Sequence, residues 1–283
     1  MPVNTLRRGA ANALGRIRRA DPPVIWGAEP MNGGNFLYLW ATAWNRRREE
    51  GRSWVVRHKP KMDVWIREFP ALGDLTVREA DVSFLQERTV EWGQQVYRDW
   101  FYGDLVDFAK EVLLPSTRFQ ERLAKVDRSA IAVNVRRGDY YTDLVHRQRF
   151  GFDIVGYVRA AAERIPDEDR TGFVLVSDDV AWCREHLDFL ADLGPVSTLP
   201  GEHDMFNDLA QIAGGRHLIL ANSTFSYWGG YLASALPPRE RARTIQAPLH
   251  FNRLYARGES PLLLPQWRAI PEDEYVAGPT GPR

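Results

Sequence analysis

Three short stretches carry side chains whose types and spacing suit the binding of an anionic ligand. The first, Ile131 to Tyr140, reads IAVNVRRGDY. It predicts a short apolar strand ending in two arginines, a glycine and an aspartate, a cationic fork at the carboxyl end of a strand, where open α/β sheets bind their ligands. Alternation along the strand puts Asn134 and Arg136 on one side and Val133 and Val135 on the other. Gly138 turns the chain, and Asp139 either holds an arginine or accepts from a ligand. The second stretch, FVLVS from Phe173 to Ser177, delivers Asp178 and Asp179 to the start of a helix. Ser177 or Asp178 caps that helix, or a carboxylate there accepts the N–H groups of a bound base. The third is a strand, His217 to Ala221, running into Asn222, Ser223, Thr224, Phe225 and Ser226. Hydroxyl and amide side chains stand there at a strand-to-helix turn, where backbone amides are open to an anion.

The three strand ends lie about 40 to 45 residues apart, the interval of repeating βα units in a parallel Rossmann-like half. Their chemistry reads as an arginine fork and a hydroxyl-amide nest for a diphosphate, with a carboxylate for a base. No Walker lysine loop is present, nor metal-ligand spacing. The pair Asp167 and Asp169 falls between a helix and the next strand, at the wrong end of the sheet for a ligand. A diphosphate held by arginine suits a leaving group in glycosyl transfer, because guanidinium neutralises the charge that develops on the departing phosphate.

These side chains need a scaffold. Pro23 to Gly27 predicts a strand, Glu29 to Gly34 a turn, and Asn35 to Arg46 a helix; the turn is either a ligand-facing loop or a plain βα connection with an asparagine N-cap. Ser53 to His58 and Asp63 to Phe69 predict strands. From Thr89 to Leu114 the aromatic and aliphatic residues recur at helical spacing and predict a packed core face, some of whose rings could line an acceptor groove. A helix over Ser116 to Val126 leads to a domain boundary at Asp127. Beyond the arginine fork, Tyr141 to Phe152 predicts a polar loop carrying Thr142, Asp143 and His146, a place for catalytic groups. Helices are predicted over Asp153 to Arg164, Val180 to Leu190, His203 to Ala213 (with Asp204 as cap) and Tyr227 to Leu236. Gly229 and Gly230 inside the last of these imply a close approach. Trp267 is expected to dock on the body of the fold.

Composition sets the outer bounds. A chain of 283 residues that is 44% hydrophobic and 26% charged, with zero formal net charge, is an ordinary globular protein with nothing global to attract nucleic acid. The expected layout is a basic flexible arm over 1–22, an acceptor-side domain over 23–127, a nucleotide-sugar-binding domain over 128–260, and a carboxyl-terminal segment and tail over 261–283. The arm's five arginines among alanines offer weak electrostatic contact with an anionic membrane face. No stretch approaches the roughly 20 apolar residues of a membrane span, so a cytoplasmic location is expected. The single cysteine, Cys183, reads as a core thiol.

With these residues in view, the chain resembles the α-1,2-fucosyltransferases of glycosyltransferase family 11. The resemblance rests on VNVRRGDY (Val133 to Tyr140), FVLVSDDVAWC (Phe173 to Cys183) and LANSTFSYWGGYL (Leu220 to Leu232), with echoes in GGNFLYLWA (Gly33 to Ala41) and LLPQWRAI. It implies a GT-B-like α/β fold, two Rossmann-like domains with the donor site in the cleft. It also implies inverting transfer of fucose from GDP-fucose to a glycan hydroxyl without a metal. Carried over by position, it implies that Arg136 binds the β-phosphate and Arg137 supports it. Asp178 meets the base, with Asp179 beside it, and Ser223, Thr224, Phe225 and Ser226 cradle the diphosphate. Gly34 and Asn35 close the site, and Asn134 contacts the nucleoside where the family usually has histidine. Phe36 stands in place of the family's glutamine. The catalytic base is sought among Asp139, Asp143 and Glu29. The alternatives are the same fold with another nucleotide sugar or a secondary-metabolite acceptor, and a non-catalytic nucleotide- or glycan-binding protein.

Overall fold

The computed structural model describes residues 18–276 apart from 30, 202, 203 and 255, so residues 1–17 of the arm and the tail from 277 lie outside the described residues. The chain is α/β and forms two compact units that divide between Ser116 and Thr117. Each is built on a parallel sheet. The division falls ahead of the boundary expected at Asp127 because the helix Thr117–Leu123 belongs with the second unit. Its Arg122 bridges to Asp204 at 2.8 Å, at the cap of the helix Met205–Gly214.

In the first unit the strands are β1 (Ala20–Gly27), β2 (Val55–Arg57), β3 (Thr76–Val77) and β4 (Gln86–Glu91), in the order β3-β2-β1-β4. The helix Asn35–Glu50 follows β1 and ends at Gly51, whose φ of 67° supplies the left-handed C-cap. Asn35 is not its N-cap: Gly34 holds that position, and no side chain caps the helix. Two expectations fail in this unit. Asp63 to Phe69 is a helix, Asp63–Glu68, not a strand. Trp65 is buried within it and Met62 and Phe69 are buried at its two caps, at three-to-four spacing, and that period overrides the local alternation. Thr89 to Leu114 is not one helix. The strand β4 ends at Glu91, and Gly93 turns at φ 67° so close to the Tyr38 carbonyl that a Cβ there would meet it at 2.7 Å. Asp99, its carboxylate buried, then takes the Gln95 amide at 3.1 Å and curls the chain before the helix Tyr102–Phe108 begins. Trp100, Leu105 and Phe108 are core as expected, whereas Trp92, Tyr97 and Phe101 are exposed.

The second unit carries β5 (Ile131–Val135), β6 (Phe173–Ser177), β7 (Val196–Thr198), β8 (His217–Ile219), β9 (Thr244–Pro248) and β10 (Arg268–Ile270) in one six-stranded sheet. Their order is β10-β9-β8-β5-β6-β7, with every pairing parallel. The central strands β5 and β6 are buried along their whole length, as a parallel sheet covered on both faces requires. Ile131, Val133 and Val135 pack with Tyr157, Val158 and Ala161 of the helix Ile154–Glu163, and Cys183 lies in the same core, where burial pushes its thiol up to about 11. In the helix Thr224–Ala235 the close approach implied by the paired glycines is present. A Cβ on Gly229 would stand 2.3 Å from Ile212, and one on Gly230 would stand 2.6 Å from the docked ring of Trp267. That ring stacks on Tyr231 at 5.1 Å.

Candidate anion site at the strand ends

Strand order in the second unit makes β5 the neighbour of both β6 and β8, so the three stretches singled out by their chemistry end side by side. Register sets the detail. Val135 pairs with Ser177, which puts Arg136 beside Asp178 at the edge of the sheet. The Asp178 carboxylate takes the Arg136 guanidinium at 2.7 Å through one oxygen and the Arg137 backbone amide at 2.8 Å through the other. A second carboxylate, Asp139, takes the opposite Nη of Arg136 at 2.5 Å. Burial lowers the affinity of Arg136 for its proton, and these two carboxylates more than restore it, so its pKa is raised. Two of the five guanidinium donors are engaged by these contacts, and the half-exposed group keeps the remainder for a ligand.

Gly138 has a steric role beyond its turn. At φ 20°, a Cβ there would meet the Asp178 oxygen at 2.6 Å and the Arg136 guanidinium carbon at 3.3 Å, so the clamp needs a residue without a side chain. Arg137 is turned away from Arg136. Its Nε donates to Asp179 at 3.0 Å, and the guanidinium lies over Trp182 at 4.1 Å and Tyr141 at 4.7 Å. These groups, with Arg147 and His186, line a concavity of about 340 Å³. Tyr141, four residues beyond Arg137, is the one sequence signal of that stacking. The cap of the helix Val180–His186 is Asp179, which accepts from the Trp182 amide at 3.1 Å; neither Ser177 nor Asp178 fills that position.

At the third strand end the helix starts at Thr224, earlier than the expected Tyr227, with Ser223 in the N-cap position but making no side-chain cap bond. The Ser223 side chain thus takes none of the first-turn amides, those of Thr224, Phe225 and Ser226. The Ser226 hydroxyl is fully buried and accepts from the Ala221 amide at 2.9 Å, bracing the turn from inside, while Thr224 and Phe225 are half-buried. Asn222 donates to the Phe150 carbonyl at 2.8 Å and ties the turn to the helix Leu144–Phe150. Asn134 is 7% exposed and donates to the Val176 carbonyl at 2.9 Å, and together with Arg136 and Ala221 it lines a void of about 10 Å³. The polar loop expected over Tyr141 to Phe152 is mostly helical, forming the end of Gly138–Thr142 and then Leu144–Phe150, because Asp143 caps the second helix through the His146 amide at 2.9 Å. That bond holds the Asp143 carboxyl below its usual range.

The remaining candidates belong to the first unit. Glu29 bridges to Lys59 at 2.6 Å, and the Lys59 hydrogen bond and charge lower its pKa. Gly34 is buried at the start of the helix Asn35–Glu50, and the Asn35 side chain accepts from Gln94 at 2.6 Å. Asp169, of the Asp167 and Asp169 pair, is spent on Arg243 at 2.6 Å and Arg216 at 3.2 Å. Among the described residues no group of three or more His, Cys, Asp or Glu is placed to hold a metal ion. No helix among them is long and apolar enough to cross a membrane.

Comparison with known proteins adds the following. Residues 103–236 match the family model described as Glycosyl transferase family 11. Galactoside alpha-(1,2)-fucosyltransferase 1 of Saimiri sciureus is 32% identical over 109 residues, and that of Lagothrix lagotricha is 32% identical over 109 residues. Each match covers 38% of this chain and 29% of the relative, so the shared sequence spans less than a third of these proteins. Among solved structures, the chain is distantly similar to that of POFUT1 in complex with GDP, at a TM-score of 0.42 and 13% identity over 80% of this chain and 73% of that one. The structure of POFUT1 in complex with GDP-fucose is similar at a TM-score of 0.39, with the same identity and coverage.

Proposed function

We propose that this chain, which carries a glycosyl transferase family 11 sequence over residues 103–236, transfers fucose from GDP-fucose to a hydroxyl of a glycan acceptor. Transfer proceeds with inversion and without a metal and forms an α-1,2 linkage. The observation that carries the reading is the Arg136 clamp, a guanidinium fixed by Asp178 and Asp139 at adjoining parallel strand ends. In this reading Arg136 binds the β-phosphate and neutralises it as it departs, and Arg137 and Asp179 hold the neighbouring strand end. Asp178 keeps lone pairs for the base, and the turn from Ser223 to Ser226 offers first-turn amides to the diphosphate. The relatives, which are galactoside fucosyltransferases, support a galactoside acceptor.

A second reading has support from one residue. Asn134 spends one amide N–H on the Val176 carbonyl and keeps its other N–H and its oxygen, and it stands where the resemblance expects a histidine, which opens the reading to another nucleotide sugar as donor. The test is incubation with GDP-fucose, and separately with UDP- and dTDP-sugars, in EDTA with a panel of galactosides. The reading expects GDP release accompanied by a gain of one deoxyhexose on the acceptor. Turnover of another nucleotide sugar alone would transfer the proposal to the second reading, and binding without turnover would leave a non-catalytic nucleotide-binding protein.

A further inference from the structure

The acids among which the base was sought are all engaged. Glu29 is bridged to Lys59, Asp143 caps a helix, and Asp139 gives Oδ1 to Arg136. A carboxylate clamped on a cation is a weak proton acceptor. The other oxygen of Asp139, Oδ2, faces Nδ1 of His146 at 3.7 Å. That nitrogen is buried and hydrogen-bonds nothing among the described residues, yet the side chain is 41% exposed, so its exposure lies on the rest of the ring. The ring stands in the first turn of the helix Leu144–Phe150, whose start is fixed by the Asp143 bond to the His146 amide, and Phe150 supports it edge-on at 6.0 Å. Phe150 in turn stacks on Tyr140 at 4.3 Å. The charged and titratable groups around the ring are Asp139 and Tyr140 on the helix Gly138–Thr142, Arg136 behind Asp139, and Asp143 at the cap of its own helix, which Arg149 also acts on.

We infer that His146 is the general base of the transfer, with Asp139 as the residue that orients it and stabilises its imidazolium; the inference rests on the donor reading proposed above. The 3.7 Å separation is longer than a hydrogen bond, and such catalytic contacts tighten when substrate binds. In the step, the acceptor hydroxyl gives its proton to Nε2 of His146 and its oxygen forms a bond to the anomeric carbon. The bond from that carbon to the diphosphate breaks, and its electron pair passes to the β-phosphate oxygen beside Arg136. Asp139 thus joins both ends of the reaction, holding the group that takes the proton and the group that meets the leaving charge.

The experiment follows GDP release from GDP-fucose, with water alone and with methyl β-galactoside, across about pH 5 to 9 for the wild type, His146→Gln and His146→Ala. GDP affinity and melting temperature are measured alongside. The inference expects release to fall roughly 100-fold or more in both variants, with GDP affinity and melting temperature unchanged. It expects a wild-type loss of rate toward acid pH that disappears in His146→Gln. Added imidazole should restore part of the rate in His146→Ala. Release within about threefold of wild type, a retained acid limb, or a parallel loss of GDP affinity would each overturn the inference. A wild type that binds GDP but never releases it from GDP-fucose would end the donor reading itself. That result is read before any variant, so the two failures are told apart.

Discussion

The carboxyl edges of the two parallel sheets both carry cations and use them in opposite ways. Beyond β1 in the first unit, Lys59 is largely buried, bridged to Glu29 and donating to the Ala28 carbonyl, and Lys61 donates to Asn32. These cations are consumed locally, and among the large hydrophobic side chains that unit leaves exposed are Trp92, Tyr97 and Phe101. Beyond β5 in the second unit, Arg136 is gripped by two carboxylates on only part of its donor set and remains half-exposed. The difference teaches that cation count does not make an anion site. A guanidinium oriented by its partners with donors to spare does so, and an ammonium folded onto its own glutamate does not.

The strongest way to break this contrast is to loosen the second edge. Asp178→Ala removes both the Arg136 partner and the acceptor for the Arg137 amide. It is expected to weaken GDP binding by roughly 1.5–3 kcal/mol, measured by calorimetry. Next comes the helix behind the site. Gly229→Ala places a methyl group against fully buried Ile212, and overpacking of roughly 1–3 kcal/mol outweighs the gain of about 1 kcal/mol in helix propensity. A lowered urea midpoint checks this. At the first edge, Lys59→Ala is expected to lower the melting temperature while leaving GDP affinity within about twofold of wild type, which sharpens the contrast directly.

The smallest effect concerns pH. Burial raises the Asp204 carboxyl, but its bonds from the Phe206 amide and Arg122 lower it further, so its folded pKa is depressed. A depressed carboxylate contributes stability above the unfolded value, about 3.9, and loses it as pH falls through the folded value. Stability should therefore fall as pH drops below the unfolded carboxylate value, and Asp204→Asn should flatten that slope in urea titrations.

The second unit was largely legible because its signals are local. β5 and β6 announce themselves as short apolar runs, Asp204 caps its helix as read, and Gly229 and Gly230 mark a close approach without any alignment. The site was legible as residue types; the partners were not. That Asp178 grips Arg136 depends on the register of β5 against β6, which no single stretch encodes. In the first unit, Trp65 and Phe69 satisfy both a strand-like and a helical pattern over so few residues, and only burial of Met62 with them decides. The aromatic run after β4 carries helical spacing, but the Gly93 turn and the buried Asp99 override it. His146 was visible as a polar residue in a supposed loop, and its standing beside Asp139 depends on the two short helices that replace that loop.

The central claim is that the carboxyl edge of the second unit's sheet is a nucleoside-diphosphate site built on Arg136. Calorimetric titration of GDP, against UDP, dTDP and ADP, into the full chain in EDTA tests it directly, with Arg136→Ala as the paired variant. The account predicts GDP-selective binding that weakens roughly 10- to 150-fold in the variant, the loss of one charge-assisted contact. Binding of equal strength in wild type and variant, or no nucleotide binding by the wild type, would contradict it.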